Sequence, residues 1–565
     1  MSRPTPRRAA ASWRASLLAM AALACVGFAG QVRAAGAEEL TQLYQQWRQF
    51  EVPYIVRGIP DYGAAAMQRK AEGLAGFRQR LAQLDTAGWS RSEQVDYELV
   101  KAEMAGLDFN LRVLRPWARD PSFYVSVWSQ RTDVPSRDAP ASQPEIELYR
   151  YRYPLSAADQ ARLAAQLGMI PTFLERAREN LKDSNARDLW VQGVTSLRNQ
   201  ASVLAQWQQG RLVVSDLEGD RKASLDGASP QLRAAVTAAH GATEDFVRWL
   251  QEQAAGKTGA SGVGKENYDW YMKNVQLMPY TWADEVALLR RELERAHASL
   301  RLEEHRNRQL PELSPAATPQ ALNALATARL DTFVSFLVDQ EIIPQKNYLR
   351  AALAPQKASF VPLDRRQFFG HVAHREPMLM YAHSYHWIDL ARMRDEPHPS
   401  PIRSNALLSN IWVSRAEGFA TGFEEQLMHA GLYDDNPRAR ELVWIMLANR
   451  AARGLASLYV HANLWTLEQA GEFQAEWTPR GWAGARDSLT TFEQLLYLRQ
   501  PGYGTSYISG KLQFDRLVTR YAHEQERTGA GFAWKGLMAK FNDAGMIPMT
   551  LLEQELLPSE APLLP

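Results

Sequence analysis

The chain has 565 residues, with 64 basic and 63 acidic side chains, a formal net charge of +1 and one cysteine. A near-neutral balance without a basic stripe argues against nucleic acid as a partner. A single cysteine excludes a disulfide framework and a zinc site built from cysteines.

Residues 1–34 are predicted to be a cleavable export signal. Four arginines precede an apolar run at 15–30, and Val32-Arg33-Ala34 fits a small-residue cleavage site. The run is shorter than the roughly 20 residues that a membrane helix needs, so we expect no stable span after cleavage. The mature chain then begins near Ala35, is periplasmic or secreted, and carries a charge of −4 because five arginines leave. Ala22, three residues before Cys25, disfavours lipidation of that cysteine.

Apolar residues recur at helical spacing along most of the chain. Two clear sets are Leu40, Leu43, Trp47 and Phe50, and Leu163, Leu167, Ile170, Phe173 and Leu174. Ser156 and Thr281 are followed three residues later by an aspartate, which predicts helix starts there. Strand-like alternation is scarce, and residues 123–129 are its best example. We therefore predict a mostly α, multi-helix fold with a central cleft and little sheet.

Two helical halves are predicted, at residues 35–255 and 266–565. Between them, Gly259–Lys265 matches the spacing of a phosphate-binding loop. Glu266 stands where such a loop needs Ser or Thr, and its carboxylate would repel phosphate. We therefore expect a flexible connection here and no nucleotide cofactor. The proline-rich segment at 116–144 is predicted to be a long surface connection.

Five of the eleven histidines lie between His371 and His398. We predict one helix from about Met378 to Met393, which would put His383 and His386 on the same face. His371 and His374 precede a proline and are predicted to belong to an entry loop or a lining. Imidazole and carboxylate are common ligands of catalytic zinc, so this segment is the best candidate for chemistry.

Several stretches resemble a family of helical bacterial proteins, the domain-of-unknown-function 885 family, which is similar to zinc peptidases. The matching stretches, in the family's order, are residues 153–156, 169–174, 179–181, 274–280, 417–420, 431–433, 461–462 and 501–512. The resemblance implies one continuous helical domain and a peptidase-like hydrolase. It also singles out Glu417 as a metal ligand, and His461, Tyr507 and Lys511 as groups on the substrate side.

The sequence departs from the family's defining motif, His-Glu-x-x-Pro-Gly-His-His. If His386 takes the last place, Leu379 and Met380 stand where His-Glu should be, and Tyr385 replaces the first of the paired histidines. The glutamate that would activate water is therefore missing, and ordinary zinc-peptidase activity is expected to be weak or absent.

The local residues offer a rebuilt site. His383, His386 and Glu417 would supply two imidazoles and a carboxylate to a zinc ion with an open position. Asp389, one turn beyond His386, would orient that ring or serve as a base. In the alternative interpretation, the histidines belong to a polar-aromatic lining and bind no metal.

Glu424 lies seven residues after Glu417, so both carboxylates are predicted to point nearly the same way on a helix. Glu424 fits a solvated helix edge as well as a paired acid. Tyr507 and Lys511 could polarise a carbonyl, or be a structural tyrosine and lysine. His461 could equally be a satisfied core histidine.

Two functions remain open after the sequence alone. The first is an exported peptidase-like hydrolase with an altered metal site. The second is a pseudoenzyme that binds a peptide-like or small carboxylate ligand in the retained cleft without turnover.

Overall fold

The computed structural model describes residues 35–136 and 140–557. The predicted export signal and Cys25 lie outside the described residues. The prediction of a mostly helical fold with little sheet is confirmed, since 66% of residues are helical and 4% lie in strands.

The helices follow one another along the chain with short connections. They are α1 (Ala35–Glu51), α2 (Ala64–Ala82), α3 (Arg91–Phe109), α4 (Pro116–Arg119), α5 (Ala157–Gly168), α6 (Ile170–Leu181), α7 (Arg187–Gln208), α8 (Pro230–Ala254), α9 (Lys265–Asn274), α10 (Trp282–Arg306), α11 (Pro319–Asp339), α12 (Tyr348–Leu353), α13 (Phe368–Ala373), α14 (Pro377–His383), α15 (Tyr385–Asp395), α16 (Phe419–His429), α17 (Ala439–His461), α18 (Leu467–Trp477), α19 (Ser488–Arg499), α20 (Tyr503–Arg527), α21 (Trp534–Asp543) and α22 (Met549–Leu556). Two π-helical turns (Asn110–Leu114, Ser414–Gly418) and five short 3₁₀ turns (Pro121–Tyr124, Leu148–Arg150, Ala354–Gln356, Leu363–Arg365, Pro479–Gly481) interrupt the series.

Six short strands form three two-stranded sheets in the described residues. β1 (Tyr54–Val56) pairs antiparallel with β2 (Ile59–Asp61), and β5 (Val213–Asp216) pairs antiparallel with β6 (Gly219–Lys222). β3 (Val127–Trp128) pairs parallel with β4 (Ile146–Glu147). Only two residues of the strand-like run at 123–129 therefore form a strand.

The N-terminal half packs α5–α8 around an aromatic and aliphatic core. The helical set from Leu163 to Leu174 is buried there, together with Trp190 and Trp207. The predicted start of α5 is confirmed, because the Asp159 amide donates to the Ser156 hydroxyl at 3.1 Å. Thr281 and Asp284 form the corresponding capping box of α10.

The described residues of the proline-rich segment at 116–144 do not form a surface connection, and that expectation was wrong. Its aromatic and β-branched side chains supply apolar surface, so Phe123, Tyr124 and Val127 enter the N-terminal core. Val134 instead packs into the core of the C-terminal half. The segment thus extends from one half into the other.

The C-terminal half is built around α17, which is buried on nearly all sides. Helices α10, α18 and α20 pack against it. A helix buried all round is usually apolar, yet α17 also carries Arg450 and Arg453 in the interior. These buried charges need partners, and the partners lie on the neighbouring helices.

One described helix, α11, is long and apolar enough to cross a membrane by length and composition. Its Leu322, Leu330, Phe333 and Leu337 are buried within the fold. A core helix of an ordinary globular protein passes the same test.

Candidate functional site

The chain breaks between His383 and His386. The predicted single helix from Met378 to Met393 is two helices, because α14 ends at His383 and α15 begins at Tyr385. Ser384 joins them with a ψ of 13°. The two rings still meet, with centroids 5.0 Å apart. The structure therefore brings both histidines together, but across a kink instead of along one helix face.

Glu417 lies in the π-helical turn Ser414–Gly418, directly before α16. This turn packs against α20 backbone to backbone, because a Cβ on Gly418 would lie 2.4 Å from Gly510. Only glycine permits that approach. π-Helical turns often occur at functional sites, and here one directs a carboxylate toward the two histidines.

His383, His386 and Glu417 form a cluster whose ligand atoms all lie within 4.8 Å of one another. His386 Nε2 donates to Glu417 Oε2 at 3.1 Å, and His383 Nε2 lies 3.5 Å from the same oxygen. Ligand atoms of a tetrahedral zinc with bonds of about 2.0–2.1 Å are roughly 3.3 Å apart. The donor set and its spacing therefore fit a zinc-like divalent ion.

The cluster is buried and carries complementary charge. Burial alone would raise the pKa of Glu417, but His386 and His383 hold it well below its usual range. Burial alone would lower the pKa of His386, but Glu417 raises it to about 9. A proton and a metal ion would therefore compete for the same carboxylate–imidazole pair.

Glu424 and Arg450 flank the other nitrogen of His383. Glu424 Oε1 lies 3.1 Å from His383 Nδ1, and an Arg450 nitrogen lies 2.9 Å from it. Burial would raise the pKa of Glu424, but Arg450 and then His383 hold it below its usual range. Glu424 is therefore buried in an ion pair. Of its two interpretations from the sequence, the solvated helix edge is wrong.

Tyrosines of α20 complete one side of the cluster. The Tyr503 hydroxyl donates to Glu417 Oε1 at 2.5 Å. The Tyr507 ring stacks beside His383, with centroids 6.2 Å apart. The Arg453 guanidinium carbon lies 4.3 Å from the centroid of the Tyr507 ring, and Arg453 forms an ion pair with Glu493. Neither Tyr503 nor Arg453 was singled out from the sequence. The available signal was that Tyr503 is an aromatic residue four positions, about one helical turn, before Tyr507.

Asp133 approaches the cluster from the N-terminal half. Burial, and then the Glu417 charge, raise the pKa of its carboxyl, while His386 and His383 act in the opposite direction. Its charge in turn raises the pKa of His386. Neighbouring Thr132 and Val134 line a cavity of about 370 Å³ between the two halves. Sequence reasoning missed Asp133, because nothing local marks a carboxylate some 250 positions before its partners.

The remaining predicted residues have other surroundings. Asp389 accepts two hydrogen bonds from Arg415 and one from Arg392, each at 3.1 Å. Lys511 binds Asp515 at 2.7 Å and Glu425 at 3.2 Å.

His461 bonds through Nε2 to the Tyr497 carbonyl at 2.9 Å and tilts over Tyr268. Burial lowers its pKa to about 4, so the ring is neutral at ordinary pH. Among the described contacts, the edge-to-face packing of Tyr497 against Tyr507, with ring centroids 6.4 Å apart, links it to the cluster.

His371 lies on α13, and His374 directly follows that helix. His371 stacks on Trp482 with centroids 5.3 Å apart. His374 is fully buried, accepts from the Val361 amide and bonds the Gly370 carbonyl. Both rings are thus engaged away from the cluster, on a short helix and not in an entry loop.

The sequence profile described as a bacterial protein of unknown function (DUF885) matches residues 55–356, more than half of the chain. The chain belongs to the DUF885 family. The matched region ends before the histidine-rich segment, so the departure from the family motif lies beyond it. No protein of curated function matches the sequence.

Two solved structures share the fold. One is a candidate lipoprotein of unknown function from Shewanella oneidensis, with a TM-score of 0.64 and 15% identity over 92% of this chain and 99% of that one. The other is a candidate lipoprotein from Colwellia psychrerythraea, with a TM-score of 0.65 and 12% identity over 93% and 99%. At such low identity the likeness shows the fold alone.

Proposed function

We propose that this DUF885 protein is an exported hydrolase that depends on a zinc-like divalent ion. The observation that carries the proposal is the convergence of His383, His386 and Glu417, with Glu424 against the far nitrogen of His383. Metal-binding histidines usually have a carboxylate or carbonyl on that nitrogen. This arrangement favours a metal centre over the polar-aromatic lining.

The ion would be held by His383, His386 and Glu417, and when bound would supply Lewis acidity to a water or carbonyl. Tyr503 fixes the Glu417 carboxylate through its other oxygen. Asp133, whose charge acts on both histidines, would take the proton from an attacking water, the role left open by Met380. Tyr507 would donate a hydrogen bond to a carbonyl oxygen as negative charge develops on it.

The ligand class we propose is peptide-like. The cavity lined by Thr132 and Val134, the neighbours of Asp133, would take side groups of such a ligand, and it mixes apolar walls with Glu51, Lys70 and Asn410. The family resemblance to zinc peptidases points to the same class. Export is proposed from the predicted signal and from the naming of both structural relatives as candidate lipoproteins.

The first experiment measures metal content and zinc affinity of the purified mature protein. We expect one equivalent of metal in the parent chain and its loss in His386→Asn. His371→Asn is the matched control, since His371 stacks on Trp482 and should leave the content unchanged. A parent protein that takes up no divalent ion would contradict the proposal.

The second experiment separates chemistry from binding with Asp133→Asn. Peptide hydrolysis should fall by about two to four orders of magnitude, the usual effect of losing a general base. Metal content should stay at one equivalent. Hydrolysis that is unaffected by the substitution, or by chelation, would exclude this mechanism.

A binding protein without turnover is the second function, and one observation favours it. The side chains of His386 and Glu417 are only 2% and 4% exposed, so substrate reaches the centre mainly past His383. This alternative predicts bound metal, no hydrolysis of any peptide, and a ligand-dependent rise in melting temperature.

A further inference from the structure

We propose that His383 Nδ1 forms its hydrogen bond with either Glu424 or Arg450. Which of the two it bonds determines whether His383 Nε2 has a lone pair for a metal ion. The inference rests on the proposed metal centre. It assigns Glu424 and Arg450 as positioning residues that act on the metal through the histidine.

The geometry offers both partners at hydrogen-bond distance. Glu424 Oε1 lies 3.1 Å from Nδ1, and the Arg450 nitrogen lies 2.9 Å from it. Glu424 and Arg450 are themselves joined by two hydrogen bonds of 2.5 and 2.7 Å. Both side chains are 1% exposed, so water competes little for either contact.

A neutral imidazole has one N–H and one lone pair, so Nδ1 can satisfy only one of these partners. Arginine only donates, and carboxylate only accepts. When Arg450 donates to Nδ1, the ring proton sits on Nε2 and faces Glu417 Oε2 at 3.5 Å. In that tautomer Nε2 has no lone pair for a metal.

When Nδ1–H donates to Glu424, the Nε2 lone pair faces His386 and Glu417 and completes the ligand set. The ring gains and loses no proton overall, because the proton leaves Nε2 and returns at Nδ1. Glu424 therefore favours the metal-ready tautomer, and Arg450 favours the metal-free one.

The two members of one ion pair should then act in opposite directions on metal affinity. A merely structural ion pair predicts the same direction for both, because either substitution breaks the same contact. This difference in sign distinguishes positioning from structure.

The chain offers a matched control pair. Glu425 follows Glu424 on α16 and binds Arg295 through two hydrogen bonds of 2.8 Å. Among the described contacts, neither residue reaches His383 or His386. Glu425→Gln and Arg295→Gln thus break a neighbouring, less buried bidentate ion pair that does not contact the two histidines.

Zinc affinity is measured by calorimetric titration of the full mature chain and these variants. We expect Glu424→Gln to bind about 10- to 100-fold more weakly, the usual effect of losing a carboxylate behind a metal-bound histidine. Arg450→Gln should bind severalfold more tightly, and both controls should bind as the parent does. Equal signs for Glu424→Gln and Arg450→Gln, or equal shifts in the controls, would overturn the inference.

Nitrogen-15 NMR of the His383 ring tests the same inference on the parent chain, so the result does not depend on whether a variant folds. We expect the proton on Nε2 in the metal-free parent and on Nδ1 after zinc is added. A proton on Nδ1 in both states would overturn the tautomer choice. A parent chain that binds no zinc at all would instead refute the proposed metal centre, so the two failures are distinguishable.

Discussion

The region around α5–α8 and the region around α17 bury different kinds of side chain. The N-terminal core around α5–α8 consists of aliphatic and aromatic residues. The C-terminal half buries ion pairs, among them Glu424–Arg450, Arg453–Glu493 and Asp389–Arg415. Burying charge brings little net stability compared with apolar residues of similar size. The first region is therefore organised by apolar burial, and the second retains buried charges, of which Glu424 and Arg450 contact His383 in the candidate site.

The largest effect on stability is expected in the N-terminal core. Trp190→Ala removes a fully buried ring that contacts Trp249 and donates to the Leu250 carbonyl at 2.8 Å. We expect a loss of about 3–5 kcal/mol in the free energy of unfolding. Chemical denaturation measures it, and zinc affinity should not change.

Val191→Ala is the control, because the neighbouring Val191 is 43% exposed and should matter by less than about 0.5 kcal/mol. If the Trp190→Ala variant stayed folded but lost metal binding, packing around α5–α8 would be coupled to the candidate site, against this expectation.

A buried charge of the C-terminal half is tested by Asp389→Asn. The substitution leaves Arg415 and Arg392 without their shared carboxylate, and we expect a loss of about 3 kcal/mol, since the amide keeps one acceptor. Asp395→Asn, exposed on the same helix, is the control. Zinc titration checks the catalytic role predicted from the sequence: a drop in affinity beyond about tenfold would support Asp389 as an orienting residue.

The smallest effect is a pH dependence at Glu285. Burial raises the pKa of this carboxyl to about 7, against 4.5 for the exposed group, although Tyr268 donates to it at 2.6 Å. Between these values the folded chain binds more protons than the unfolded chain, so stability falls as pH rises. Below pH 4.5 this contribution vanishes, because the group is protonated in both states.

Glu285→Gln removes the titration while keeping an acceptor for Tyr268. The difference in melting temperature between variant and parent should grow in the variant's favour from pH 5 to pH 8. Exposed Glu294→Gln on the same helix is the control. A difference independent of pH would show that the Glu285 carboxylate carries no folding cost.

Local sequence signals predicted the helical fold and its starts. Ser156 and Thr281 cap helices because their hydroxyls reach amides three residues away, a contact the chain determines locally. The apolar spacing from Leu163 to Leu174 identified a core face for the same reason. The burial of the proline-rich segment could not be predicted in this way, because it depends on contacts with residues distant in sequence, such as those around Val134.

The candidate site was predictable only in part. The residue types and the likeness to the DUF885 family singled out His383, His386 and Glu417, which the structure brings within 4.8 Å of one another. Periodicity did not predict the break at Ser384, because a kink depends on the packing of both helices. Nor could it place Lys511, whose partners Glu425 and Asp515 form a separate network.

The sequence by itself determined that the chain is mostly helical, which family it belongs to and which residues form the candidate metal-binding cluster. Those properties follow from side-chain types and short-range spacing. Only the tertiary structure decided which partner each charge has. Arg450 pairs with Glu424 and both contact His383, Arg415 pairs with Asp389, and the charge of Asp133 acts on His383 and His386. The physical reason is that buried charges must be paired, and the partner is chosen by which helices pack together.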